Sequence, residues 1–177
     1  METISVLVTY ATGHGSTAYV AEEIAKTLRS SGAEVDIFQI DMAPAPDLYD
    51  AVVIGGPIRF DRWLPTATAY VATHETVLSA RRVAYFFTCM ALSVPGKAEH
   101  GQSYAEDIAT QSTAIWPVDV GQFAGALNFK NFAWPLRLPA RFLLKMLGGE
   151  SGDYRDRAAV RDWSLRCFEM FTPQNEG

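Results

Sequence analysis

A doubly wound α/β fold, with a five-stranded parallel sheet in the order 2-1-3-4-5, is what this sequence predicts. Three observations carry the prediction. Five runs rich in β-branched and aromatic residues alternate with stretches of helical periodicity. Several of those runs lack the polar alternation of a half-exposed sheet, which suits strands covered on both faces. The first run also breaks into a loop of small and hydroxylated residues before an amphipathic segment, the way α/β proteins present backbone N–H groups to a phosphate. Alternation with short connections gives right-handed crossovers, and ligands then bind beyond the carboxyl ends of the strands, near the switch point beside strands one and three.

The strands are read at Ile4–Thr9, Glu34–Ile40, Ala51–Gly55, Val83–Thr88 and Val118–Ala124. The first helix spans Ala18 to about Ser31: Val20, Ile24 and Leu28 recur every four residues, Glu22, Glu23, Lys26 and Arg29 fall on other faces, and Gly32 stands where a C-terminal cap belongs. A loop containing Pro57 and Pro65 leads to a helix near Thr66–Thr73, and Gln102–Gln111 supplies another. Val160, Trp163, Cys167 and Phe171 form the apolar stripe of a final helix. Three loops then converge at the carboxyl ends of the strands: Thr12–Thr17, Gly56–Trp63 and Cys89–Gln102.

With 177 residues, 49% hydrophobic and 20% charged, the chain is expected to form one globular domain, 1–177. No apolar run reaches the length of a spanning helix, and Ile4–Val8 reads as a strand rather than part of a secretory leader, so a cytoplasmic location is expected. Cys89 and Cys167 fit neither a metal knuckle nor a disulfide framework and are read as reduced and buried; no metal site is expected. A net charge of −5 argues against a nucleic-acid partner. The charge is unevenly spread, because Val120–Gly149 holds Lys130, Arg137, Arg141 and Lys145 and no acidic residue.

The loop Thr12-Gly13-His14-Gly15-Ser16-Thr17 has neither the Gly-Lys-Ser/Thr ending of a P-loop nor the third glycine of a dinucleotide fingerprint. Thr12, Ser16 and Thr17 each offer a hydroxyl donor, and Gly13 and Gly15 let the main chain curl around an anion. His14 is either a partly protonated donor to that anion or a solvated loop residue. A strand-to-helix turn with Ser16 or Thr17 as N-cap is the plainer alternative. A phosphate monoester held by neutral donors and a helix N-terminus is the arrangement by which flavodoxins hold FMN, and the segment resembles their phosphate loop, with Gly15-Ser16-Thr17 where Gly-Asn-Thr is common.

The flavin ring of such a cofactor would reach the other two loops. Pro57-Ile58-Arg59-Phe60-Asp61-Arg62-Trp63 offers Phe60 or Trp63 as a cover for the ring, and Arg59 or Arg62 as a cation that raises its reduction potential. The alternative is that both aromatics pack the loop on the core and both arginines are solvated. Thr88, Cys89, Met90 and Ala91 are expected at the other edge of the ring, largely through backbone groups. His74 and His100 have no ligand spacing, and no side chain is assigned as catalytic, so the chemistry would belong to the cofactor.

Three further stretches extend the comparison: Tyr49-Asp-Ala-Val-Val-Ile-Gly-Gly-Pro-Ile-Arg-Phe60, Phe123-Ala-Gly-Ala-Leu-Asn-Phe129, and Phe142-Leu-Leu-Lys-Met-Leu-Gly-Gly-Glu150 with Asp162-Trp163 downstream. With the first loop they resemble the flavodoxin-like, menaquinone-dependent protoporphyrinogen IX dehydrogenases over nearly the whole chain. Asp61–Pro65 and Met90–Gly101 depart from the family pattern. The resemblance implies a flavodoxin-like three-layer sandwich and an FMN-dependent oxidoreductase of porphyrin biosynthesis. It would pass electrons from a bulky hydrophobic or tetrapyrrole substrate to a quinone, peripherally at the inner face of the membrane. The segment 128–149, aromatic and basic, is the addition that plain flavodoxins lack; it either lies on an anionic bilayer, encloses a hydrophobic substrate, or packs on the sheet edge. Two other functions stay open: a flavodoxin-type electron carrier between protein partners, and a cofactor-free interaction module that keeps the fold.

Overall fold

The computed structural model describes residues 3–12, 16–93, 99–125 and 156–172. Five parallel strands form the sheet: β1 (Ser5–Tyr10), β2 (Glu34–Gln39), β3 (Ala51–Arg59), β5 (Arg82–Cys89) and β6 (Val120–Ala124). They lie in the order β2-β1-β3-β5-β6, which is the expected 2-1-3-4-5. A sixth strand, β4 (Arg62–Trp63), pairs antiparallel with the end of β3 and was not expected. Among the described residues the α-helices are α1 (Ser16–Ser30), α2 (Pro65–Thr73), α3 (Glu75–Leu78), α4 (Glu99–Ala109) and α5 (Arg157–Phe171).

Alternation along the strands sorts the core into two layers. Leu7, Val52, Ile54, Tyr85 and Phe87 face α2 and α4, where Ala67, Tyr70, Val71, Ala105 and Ile108 meet them. Val6, Val8, Val53, Ala84 and Phe86 face α1 and α5, against Val20, Ile24, Leu28, Val160, Trp163, Cys167 and Phe171. Each large apolar side chain taken fully out of water contributes about 1.5–3 kcal/mol. The apolar stripes read in the first and last helices are therefore the two halves of one layer.

Helix boundaries follow local chemistry. Gly32 sits at φ +102°, and the N–H groups of Gly32 and Ala33 reach the carbonyls of Arg29 and Leu28 at 3.0 and 3.1 Å. That pair of bonds closes α1 as a Schellman motif, for which the left-handed backbone of glycine is suited. Asp156 caps α5, its carboxylate accepting from the N–H groups of Ala158 and Ala159. Both cysteines are buried and neither is in a disulfide, and burial pushes the Cys167 thiol well up from its ordinary range.

Residues 56–63, expected as a loop, form a hairpin. Strand β3 instead runs on through Pro57 to Arg59, turns at Phe60-Asp61, and returns as β4. Pro57 is tolerated because strands tolerate a missing N–H where no ladder bond requires it, and its own carbonyl accepts from Leu64 N–H at 3.1 Å, tightening the hairpin. Helix α4 starts three residues earlier than predicted. The loop residues 13–15 and the segment 128–149 lie outside the described residues.

Candidate functional site

The carboxyl ends of β1, β3 and β5 bring together most of the predicted site. Thr12 follows β1 and is half-buried; Ser16 and Thr17 are the first two residues of α1. Thr17 is 1% exposed and its hydroxyl shares a 2.9 Å hydrogen bond with that of Thr88, 3% exposed, near the end of β5. The first turn of α1 is thereby tied to the third converging segment across 71 residues of sequence. Ala11 N–H donates to Gly55 O at 2.8 Å, which joins the exit of β1 to β3. Gly13, His14 and Gly15, between these anchors, lie outside the described residues.

The donor set fits a phosphate monoester. Hydroxyls stand at 12, 16 and 17, and the first turn of α1 carries no acidic residue of its own to oppose the positive end of the helix dipole. An anion held there needs no lysine.

The β3–β4 hairpin forms the second wall. Ile58 pairs with Trp63 and Arg59 with Arg62. Because faces alternate along a strand, each pair projects from one side of the hairpin. Trp63 is 5% exposed and packs its ring 5.4 Å from that of Tyr85, over Gly56, where a Cβ would meet Trp63 Nε1 at 3.0 Å. Arg59 and Arg62, on the other side, are exposed. At the turn, Phe60 and Asp61 adopt φ of 49° and 57°, the left-handed pattern of a two-residue hairpin turn. At Phe60 that conformation costs about 1–2 kcal/mol of backbone strain, and at Asp61 less, because a short polar side chain tolerates it. Phe60 is 98% exposed.

The two aromatics read as alternative covers for a ring thus have opposite fates: Trp63 belongs to the core and Phe60 to the surface. Pro57 and Ile58 are half-buried between them. Cys89 ends β5 in the core, with its carbonyl accepting from Gly125 N–H at 3.2 Å, and Met90, half exposed, opens the turn Met90–Ser93 that contains Ala91.

Sequence reasoning passed over Asp61 and Tyr104. Tyr104 on α4 donates its hydroxyl to Asp61 Oδ1 at 2.5 Å, which clasps the strained turn to the helix. That bond to a carboxylate, followed by burial, pushes the phenol up to about 12. The ring is held edge-on by Phe87, centroids 6.1 Å apart. Below the clasp, a cleft of about 690 Å³ opens between the hairpin, α2 and α4, walled by Ile58, Arg62, Trp63, Pro65, Thr68, Tyr104, Asp107 and Ile108. A tyrosine on a helix 43 residues away carries no local signal of such a contact.

Comparison with known proteins agrees with this geometry. The model of the family described as "Flavodoxin domain" matches residues 7–153. A protein named protoporphyrinogen IX dehydrogenase [quinone] from Escherichia coli is 28% identical over 164 residues, 90% of this chain and 89% of its own. A protein of the same name from Leishmania major is 30% identical over 165 residues, 88% of this chain and 71% of its own. Among solved structures, oxidised flavodoxin 1 from Bacillus cereus superposes with a TM-score of 0.63 at 12% identity, covering 96% of this chain and 99% of that one. The fold is flavodoxin-like, and the chain belongs to the flavodoxin domain family.

Proposed function

We propose that this protein is an FMN-dependent oxidoreductase of the quinone-dependent protoporphyrinogen IX dehydrogenase type, taking reducing equivalents from a tetrapyrrole precursor and delivering them to a quinone. The observation that carries the reading is its similarity to proteins of that name over 90% and 88% of the chain. The donor set at the head of α1 supports the cofactor. When bound, FMN supplies a redox centre able to exchange electrons with both an organic donor and a quinone.

The residues of this chain bind and orient. Thr12, Ser16, Thr17 and the loop Gly13-His14-Gly15 cradle the phosphate, with the N-terminus of α1 behind them. Thr17 and Thr88, joined by their hydrogen bond, fix the distance between the phosphate loop and the ring edge at Thr88–Ala91. Pro57–Phe60 forms the opposite edge. Trp63 stiffens that edge from inside, leaving Phe60 as the aromatic surface open to a ring or a substrate.

The chain is read as one domain whose aromatic and basic segment 128–149 meets an anionic membrane surface, where a quinone resides; among the described residues no helix is long and apolar enough to cross a membrane. Reversal of Arg137 and Arg141 to Glu should reduce sedimentation with anionic vesicles, and equal sedimentation would remove that contact.

Binding of the cofactor is tested by thermal unfolding with added FMN. Ligand at a hundred times its Kd stabilises by about 2.7 kcal/mol, so the midpoint should rise by several degrees. A colourless protein whose midpoint ignores FMN would sink the reading.

A further inference from the structure

The turn of the β3–β4 hairpin is held from outside the hairpin. Tyr104 reaches it from α4, and its hydroxyl donates to Asp61 Oδ1 at 2.5 Å, a phenol to a carboxylate, which is among the stronger classes of hydrogen bond. The tyrosine is 9% exposed, and its ring stands edge-on to that of Phe87, 6.1 Å between centroids and 85° between planes. Phe87 is fully buried in β5, one residue before Thr88. A side chain packed in this way has little freedom to follow a moving turn, so its bond references Asp61 to β5. Phe60, beside Asp61 on left-handed backbone at φ 49°, would relax if the turn were released.

The phosphate loop is referenced to the same point, because Thr88 shares its 2.9 Å hydroxyl bond with Thr17. Side-chain bonds therefore measure both of the other converging segments from the carboxyl end of β5. Pro57–Phe60 and Thr88–Ala91 are the two edges assigned above to the flavin ring, and the Tyr104 bond stands between them.

We propose that Tyr104 is a positioning residue for the flavin: through Asp61 it holds the Pro57–Phe60 edge at one fixed separation from Thr88–Ala91, so that the slot for the ring is formed before the cofactor arrives. A slot formed in advance has less to order on binding. Loss of the clasp then weakens the hold on the ring and leaves the hold on the phosphate as it was. The inference rests on the function proposed above for the identity of the ligand, and on the clasp geometry for the role of Tyr104.

The experiment is titration of the purified protein, freed of flavin, with FMN and, separately, with riboflavin, which has the ring and no phosphate, read by quenching of flavin fluorescence. Tyr104→Phe keeps the packed ring and removes the hydroxyl. It should weaken both flavins by a similar factor of about ten, the scale of one hydrogen bond to a charged group, and change the visible circular dichroism of bound FMN. Thr12→Ala should weaken FMN alone and leave that dichroism unchanged. Asp61→Asn keeps an acceptor oxygen on the turn and should lose less than Tyr104→Phe, whereas the losses of Tyr104→Phe and Asp61→Ala should not multiply in the double variant, because one bond serves both. A merely structural role would lower the thermal midpoint and leave the dichroism of bound FMN as in the wild type. A Tyr104→Phe protein with wild-type dichroism, or one weakened for FMN and not for riboflavin, overturns the proposal; if the wild type holds riboflavin too weakly to titrate, the dichroism decides. Failure of the functional reading is distinct, since it shows in the wild type, as a protein that binds neither flavin.

Discussion

Gly55→Ala is expected to destabilise the protein by about 3 kcal/mol or more, at or beyond the upper end of the usual cost of overpacking. Gly55 lies in β3 opposite Phe86, and a Cβ built on it meets three atoms of the Phe86 ring at 2.0, 2.0 and 2.5 Å. The ring has nowhere to go: it is fully buried, with Phe123 at 6.2 Å and Trp163 at 6.4 Å between centroids. Those contacts join β5 to β6 and to α5, so a displaced ring disturbs the sheet and the layer above it together. Adding Phe86→Leu removes the clashing atoms, and the double variant should be more stable than the sum of the two single losses implies. Urea unfolding followed by circular dichroism measures both; a Gly55→Ala protein with the wild-type midpoint would refute the packing account.

Thr17→Val ranks next. The exchange keeps the shape of the side chain and removes its hydroxyl, leaving Thr88 Oγ1 buried without its 2.9 Å partner. An orphaned buried hydroxyl costs about 1–3 kcal/mol, whereas replacing both partners by apolar groups of the same shape is nearly neutral. The single variant should therefore unfold at lower urea than the wild type, and Thr17→Val/Thr88→Val should recover most of the loss. Cofactor affinity separates the two roles of Thr17. If Thr88 donates in the pair, the Thr17 proton remains for the phosphate, and FMN binding falls in both the single and the double variant. Removing Thr12 and Thr17 hydroxyls together should weaken FMN by roughly 2–4 kcal/mol, taking about 1.5–3 kcal/mol per bond to a charged group with incomplete additivity. A double valine variant no more stable than the single one would show that the buried pair is not what the valine disturbs.

These two positions also mark where sequence reading succeeds and stops. The strand order, the Gly32 cap and the two apolar helix stripes are legible because periodicity and capping are local properties of the chain. Thr17 and Thr88 are each legible as site residues, yet the bond between them, 71 residues apart, is a product of the fold. The hairpin was missed for a physical reason. Proline at 57 signals a break, and a turn made of Phe60-Asp61 lacks the Asn-Gly or Asp-Gly signature of a two-residue hairpin. Once the hairpin exists, alternation decides the rest: Trp63 goes in, Arg59 and Arg62 stay out, and Phe60 is left at the tip. The strained turn then needs the Tyr104 clasp, which no local pattern announces.

The central claim is that this fold, through FMN, moves electrons from a tetrapyrrole donor to a quinone. Anaerobic mixing of the FMN-loaded protein with protoporphyrinogen IX, followed by menaquinone, tests it most directly. The account predicts that the donor bleaches the flavin absorbance and that the quinone restores it, over repeated cycles. A flavin that stays oxidised with the donor, or that once reduced is not reoxidised by the quinone, would contradict it.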